Sequence, residues 1–161
     1  QGVSSAASDV YKRQIQTNGS YLQRRHSLLQ KFLPMVSELR ISFDAGTAET
    51  YSRIRVNGQW DTLLENCRYI VDLKNQTGSN ATLISDFVTQ LDNYQEIPEY
   101  VNIASDIGFD RVWVGRMWNW NTWSNEEFDR RNVSSSAHNQ YNDFLNVLQT
   151  VKTNPKVRHD F

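Results

Sequence analysis

A hydroxyl and a carboxylate two residues apart, Ser42 and Asp44, close the mainly apolar run Glu38-Leu39-Arg40-Ile41-Ser42-Phe43-Asp44-Ala45. Residues i and i+2 of a strand share a face, so these groups can converge on one pocket if that face is interior. Asp44 could equally cap a helix starting at Thr47. An earlier run, Ile15-Gln16-Thr17-Asn18-Gly19, ends in a hydroxyl, an amide and a glycine. Thr17, Asn18 and Gly19 can present polar groups and backbone N–H to a ligand, or simply form a turn, since Asn-Gly tolerates positive φ. Arg53 and Arg55 follow Asp44 on the expected helix. A guanidinium near a strand end can grip a carboxylate or phosphate with two parallel hydrogen bonds, although helix arginines are by default solvated. Gln90 closes a third strand-like run, Ala81 to Val88 followed by Thr89-Gln90.

The elements that must position these residues read as alternating strands and helices. Leu22, Leu28, Leu29, Phe32 and Leu33 give a helical apolar face before Pro34, interrupted by Arg24-Arg25-His26. Trp60, Leu63, Leu64, Cys67, Ile70 and Val71 recur as one stripe of an amphipathic helix, which makes Cys67 a core residue rather than a reactive thiol. Gly78-Ser79-Asn80 breaks the chain before the third strand. Pro98 suits a first helical turn, Ile97, Val101, Ala104 and Ile107 its apolar face, and Gly108 its C-cap. Arg111 to Gly115 reads as a fourth strand, Ser124-x-x-Glu127 as a capping box, and Tyr141, Phe144, Leu145, Leu148 and Val151 as a last helix. Strand–helix alternation of this kind predicts a parallel α/β sheet, with its polar groups on the carboxyl rim where such sheets bind ligands.

Composition narrows the function classes. The 161 residues, with 17 Lys and Arg against 18 Asp and Glu, carry no electrostatic footprint for nucleic acid or an anionic membrane. No apolar run approaches the roughly 20 residues of a membrane span. With one cysteine, Cys67, neither an internal disulfide nor a multi-cysteine metal motif can form within these residues. No secretion signal opens the chain, so a cytoplasmic location is expected and the four N-x-[ST] sequons at Asn18, Asn75, Asn80 and Asn132 read as chance. His138 and His159 are isolated. Glu126, Glu127 and Asp129 read as the solvated face of a short helix. Four of the five tryptophans fall between Trp113 and Trp123, either as a platform for substrate or as core packing and contacts to a missing C-terminal domain.

Taken in order, Thr17-Asn18-Gly19, Ile41-Ser42-Phe43-Asp44-Ala45 and Thr47-Ala48-Glu49-Thr50-Tyr51-Ser52-Arg53-Ile54-Arg55 resemble the radical S-adenosylmethionine enzymes, and within them the SPASM type. Gly58-Gln59-Trp60, Leu64-Glu65-Asn66, and Gln90 with Asn93 and Glu96 extend the resemblance from about Ile15 to about Asn146. It implies a fragment of a partial (β/α)6 barrel, covering parallel strands three to six. Residues 1–14 would then be a non-native, adapter-like leader, 15–153 the partial barrel and 154–161 a truncated tail.

The resemblance also implies an S-adenosylmethionine site. Ser42 and Arg55 would contact the amino and carboxylate groups of its methionine part, Thr17, Asn18 and Asp44 would line the methionine and ribose side with Gly19, and Gln90 would lie near the ribose or substrate. The parent would be an oxidoreductase using a 5′-deoxyadenosyl radical, with a peptide, protein or small-molecule substrate. The C-x-x-x-C-x-x-C motif that holds the family's [4Fe–4S] cluster is absent, as are SPASM cysteines, so the isolated chain is expected to be inactive. The missing N- and C-terminal parts of the same protein would be its partners. From the residues alone, a non-redox α/β sugar- or nucleotide-binding module remains the alternative.

Overall fold

The computed structural model describes residues 13–161. Among these, four of the strands follow the alternation read from sequence: β1 (Gln14–Thr17), β2 (Glu38–Ser42), β3 (Thr82–Thr89) and β4 (Arg111–Arg116). The helices are α1 (His26–Phe32), α2 (Ala48–Ile54), α3 (Trp60–Thr77), α4 (Ile97–Ile107), α5 (Asn125–Arg131) and α6 (Tyr141–Val151). A fifth strand, β5 (Val157–His159), forms in the tail, where sequence assigned no element. It pairs Val112 with Val157 and Val114 with His159, and the Arg116 N–H donates to Asp160 Oδ1 at 2.8 Å. At the other end Gln14, grouped by sequence with the leader, opens β1, and the Arg13 carbonyl accepts from Ser37 N at 2.9 Å. The rest of that leader, residues 1–12, lies outside the described residues.

The sheet order is β1-β2-β3-β4-β5 and every pairing is parallel. Each crossover steps to the next strand in the same direction. Right-handed crossovers then stack the helices on one face, unlike a doubly wound sheet whose order reverses midway. Side-chain alternation agrees. Leu39, Ile41 and Phe43, then Leu83, Ser85 and Phe87, then Val112 and Val114 face the helices and are buried there. Tyr100 of α4 donates to Ser85 Oγ at 2.8 Å and packs against Phe43 and Phe87. On α3, Leu63, Cys67 and Ile70 are buried as the stripe predicts, but Trp60 is only partly so, resting its ring on Phe43 and Tyr51. Cys67 is a packed core residue whose thiol burial pushes far above its ordinary range.

The helix-free face is mostly polar, with Ile84 and Val88 also on it. Glu38, Arg40, Asp86, Arg111 and Trp113 alternate out of the core side. Arg40 donates Nε to Asp86 Oδ2 at 2.9 Å and Nη2 to Asp86 Oδ1 at 2.5 Å, and its guanidinium lies 5.5 Å from the Trp113 ring centroid. Gly115 makes room for that ring, since a Cβ there would come within 2.5 Å of the indole nitrogen. Such a face needs no core of its own because its charges are paired across strands.

The expected caps form. Gly78 and Gly108 end α3 and α4 in the left-handed conformation, at φ 61° and 106°. Ser124 Oγ accepts from Glu127 N at 3.2 Å to start α5.

Candidate functional site

The site is built where β2, β3 and β4 end. β2 stops at Ser42, and Asp44 beyond it takes a left-handed φ of 59°. That turn carries the Asp44 carboxylate across to β3. Its Oδ1 accepts the Val88 N–H at 2.8 Å, and its Oδ2 accepts from the Arg55 guanidinium. Asp44 is therefore a cross-strand bridge, and Thr47 is the residue that caps α2, accepting from Thr50 N at 3.3 Å. Burial pushes the Asp44 carboxyl up from the ordinary aspartate range, with Arg55 and the Val88 N–H pulling against it.

Two side chains after β3 lock this turn in place. Asn93 is buried, donates Nδ2 to both the Asp44 and the Val88 carbonyls at 2.9 Å, and accepts from Gln90 N at 2.8 Å. Glu96 accepts from Gly46 N at 2.8 Å, Thr47 N at 3.1 Å, Thr47 Oγ1 at 2.9 Å and Thr50 Oγ1 at 2.6 Å. Burial disfavours its charge, but these four hydrogen bonds outweigh burial and hold its carboxyl below the usual glutamate range. Sequence noted Asn93 and Glu96 only as positions of resemblance. Their shared job, tying the β2–α2 turn to the end of β3, appears once both strand ends are side by side.

The result is a cleft of about 450 Å³ lined by Asp44, Arg53, Ile54, Arg55, Val88, Gln90, Asp92, Met117, Trp123 and Arg131. Asp44, Arg55 and Gln90 were expected together from sequence and share it. The Arg55 Nε–H is buried without an acceptor. Arg53, by default a solvated helix arginine, also lines the cleft. Arg131 and Trp123 come from the loop and helix after β4, which sequence did not connect to the site. Arg131 pairs with Asp92 at 3.1 Å and Glu127 at 2.6 Å, and its guanidinium stacks 5.9 Å from the Trp123 ring centroid. Glu127 thus serves as a partner for Arg131 besides facing solvent.

Thr17 and Asn18 lie elsewhere. They line a separate, mainly apolar hollow of about 280 Å³ with Tyr21, Leu22, Leu28 and Phe32. The turn reading describes them well: Thr17 Oγ1 accepts from Gly19 N at 3.2 Å, and Asn18 Oδ1 accepts from Ser20 N at 3.1 Å. Gly19 has φ 76°, and a Cβ there would meet Leu63 Cδ1 at 2.8 Å. The buried Asn66 of α3 clamps this turn, donating to the Gly19 carbonyl at 2.7 Å and accepting from Gln23 N at 3.2 Å. Ser42 is buried at the end of β2 and lines neither hollow.

The tryptophan-rich loop is not core. Trp118 and Trp120 are 61% and 83% exposed, and Trp113 and Trp123 are half-buried, so core packing, one part of the two readings given for this stretch, does not describe it. Asn119 organises the loop through bonds to Thr122 N, Trp123 N and the Trp123 carbonyl. Among the described residues no group of three or more His, Cys, Asp or Glu side chains is placed to hold a metal ion, and no helix is long and apolar enough to cross a membrane. The chain matches no protein-family model and no curated protein sequence.

Proposed function

We propose that the chain is part of a radical S-adenosylmethionine barrel of the SPASM type, contributing the rim that holds the methionine end of the cofactor. The carrying observation is the convergence of Asp44, Arg55 and Gln90, chosen from separate sequence motifs, in one cleft at the carboxyl rim of the sheet. Strand order supports it. A parallel sheet wound in one direction with helices on one face is how a (β/α) barrel closes, and its sites lie at this rim. In this reading Ser42 and Arg55 bind the amino and carboxylate groups of the methionine part, and the acceptor-free Arg55 Nε suits a carboxylate oxygen. Thr17, Asn18 and Gly19, whose turn opens on the separate hollow at the end of β1, take no part in this cleft, and Gln90 lies toward the ribose or substrate.

S-adenosylmethionine, when bound beside a reduced [4Fe–4S] cluster, supplies hydrogen-abstracting radical chemistry. Cys67 does not fit a cluster, being single and sealed in the core, so no step is assigned to cluster ligation by these residues. A reduced, cytoplasmic compartment and a peptide, protein or small-molecule substrate belong to the same proposal. Calorimetric titration with S-adenosylmethionine tests it. Wild-type chain should bind, and Arg55→Ala should lose about 2–3 kcal/mol of that affinity. A flat wild-type titration refutes the reading and leaves a non-redox binding module. Sequencing the source DNA upstream of the Ile15 codon should reveal C-x-x-x-C-x-x-C in frame.

A further inference from the structure

The charges that line the rim cleft do not balance. Three guanidiniums, Arg53, Arg55 and Arg131, meet two carboxylates, Asp44 and Asp92. Asp44 is matched to Arg55 and Asp92 to Arg131, which Glu127 holds as well. Among the described residues Arg53 has no carboxylate partner. Its Nη2 instead donates to Thr50 Oγ1 at 2.9 Å. That hydroxyl spends its own hydrogen on Glu96 Oε1 at 2.6 Å, so its orientation is fixed and it can only accept from Arg53. Glu96 itself is satisfied by Gly46, Thr47 and Thr50. Arg53 is thus exposed at the cleft wall, held on one side by an oriented hydroxyl and with no carboxylate directly on its guanidinium among the described residues. A guanidinium tethered this way loses less freedom on binding an anion than one with no side-chain partner does.

Apart from Gln90, the remaining walls are apolar. Ile54, Val88 and Met117 line the same cleft with the Trp123 ring, whose π face is engaged by Arg131. We propose that Arg53 anchors an organic anion, a carboxylate or phosphate carried on an apolar or aromatic body that lies against Met117, Val88 and Trp123, and that this anion belongs to the substrate rather than to the cofactor. The second half of the proposal rests on the S-adenosylmethionine reading, in which Arg55 already serves the cofactor's carboxylate. The first half rests on the cleft alone.

The probes are 3-phenylpropionate, phenyl phosphate and the uncharged 3-phenylpropionamide, titrated into the full chain with and without S-adenosylmethionine. One or both anions should bind, the stronger identifying the head group, and the amide should bind at least several-fold more weakly. Arg53→Ala should weaken anion binding about tenfold. Thr50→Val, which keeps the volume and removes the orienting hydroxyl, should weaken it less. Circular dichroism and the urea midpoint check that both variants fold. A folded Arg53→Ala that binds the anions as wild type overturns the anchor, as does equal binding of the amide. Anion binding abolished by saturating S-adenosylmethionine overturns the assignment to substrate, since Arg53 would then serve the cofactor. Anion binding that needs Arg53 in a chain that never binds S-adenosylmethionine keeps the anchor and removes the functional reading on which the substrate assignment rests.

Discussion

Replacing Asn93 with alanine should be the most damaging single change at the rim. One buried amide satisfies three backbone groups, the Asp44 and Val88 carbonyls and the Gln90 N–H, all at 2.8–2.9 Å. Each buried backbone group left without a partner costs about 1–3 kcal/mol, carbonyls toward the low end. Some of that returns if water enters from the adjacent cleft. A net loss of about 3–5 kcal/mol is expected, a large share of the roughly 5–15 kcal/mol that holds an ordinary domain. Urea unfolding followed by tryptophan fluorescence measures it, with an unchanged m-value showing that the same structure unfolds.

Asn93→Asp sharpens the test. It keeps an acceptor for Gln90 N but turns a buried charge toward two carbonyls, so its carboxyl should titrate well above an unfolded aspartate. Stability would then be greatest below the unfolded pKa and decline as pH rises through the folded one, making this variant worst near neutrality and better near pH 4. An Asn93→Ala protein within about 1 kcal/mol of wild type at the same m-value would refute the bridge. A pH-independent Asn93→Asp would refute the burial of that side chain.

Glu96 gives the opposite pH dependence. Its folded carboxyl lies below the ordinary range, so the stability it contributes is present above the unfolded glutamate pKa and drains away as pH falls through the folded value. Urea midpoints measured between pH 7 and pH 3 should show this decline in wild type and a weaker one in Glu96→Gln. That variant should also be about 1–2 kcal/mol less stable at pH 7, because its amide N–H₂ faces donors. Parallel pH profiles would remove Glu96 from the turn. Gly19→Ala should cost at least about 2 kcal/mol, read from the thermal midpoint, because it combines a positive φ with a methyl 2.8 Å from Leu63 Cδ1. A wild-type midpoint would mean that α3 does not press on this turn.

Local features were legible because they depend on near neighbours in the chain. Periodicity placed α3 and its buried Cys67, and Pro98, Gly108 and Ser124 marked helix ends through backbone rules that act within a few residues. β5 was not legible: three residues, Val157 to His159, carry too little pattern to show that they pair beside β4. The i and i+2 argument for Ser42 and Asp44 held only as far as Ser42, because Asp44 leaves the strand by a left-handed turn that its bonds to Val88, Asn93 and Arg55 stabilise.

The sequence by itself determined a parallel α/β chain with its polar groups at strand ends, since strand and helix periods and the alternation of elements are written locally. Only the tertiary structure decided which of those groups meet. Asp44, Arg55 and Gln90 share a cleft because β2 and β3 are neighbours, whereas Thr17 and Asn18 open on another hollow beneath α1. It also decided which charges are spent. Arg53 and Arg55 are equivalent as letters two residues apart, and they differ because a buried carboxylate reaches one and a hydroxyl reaches the other.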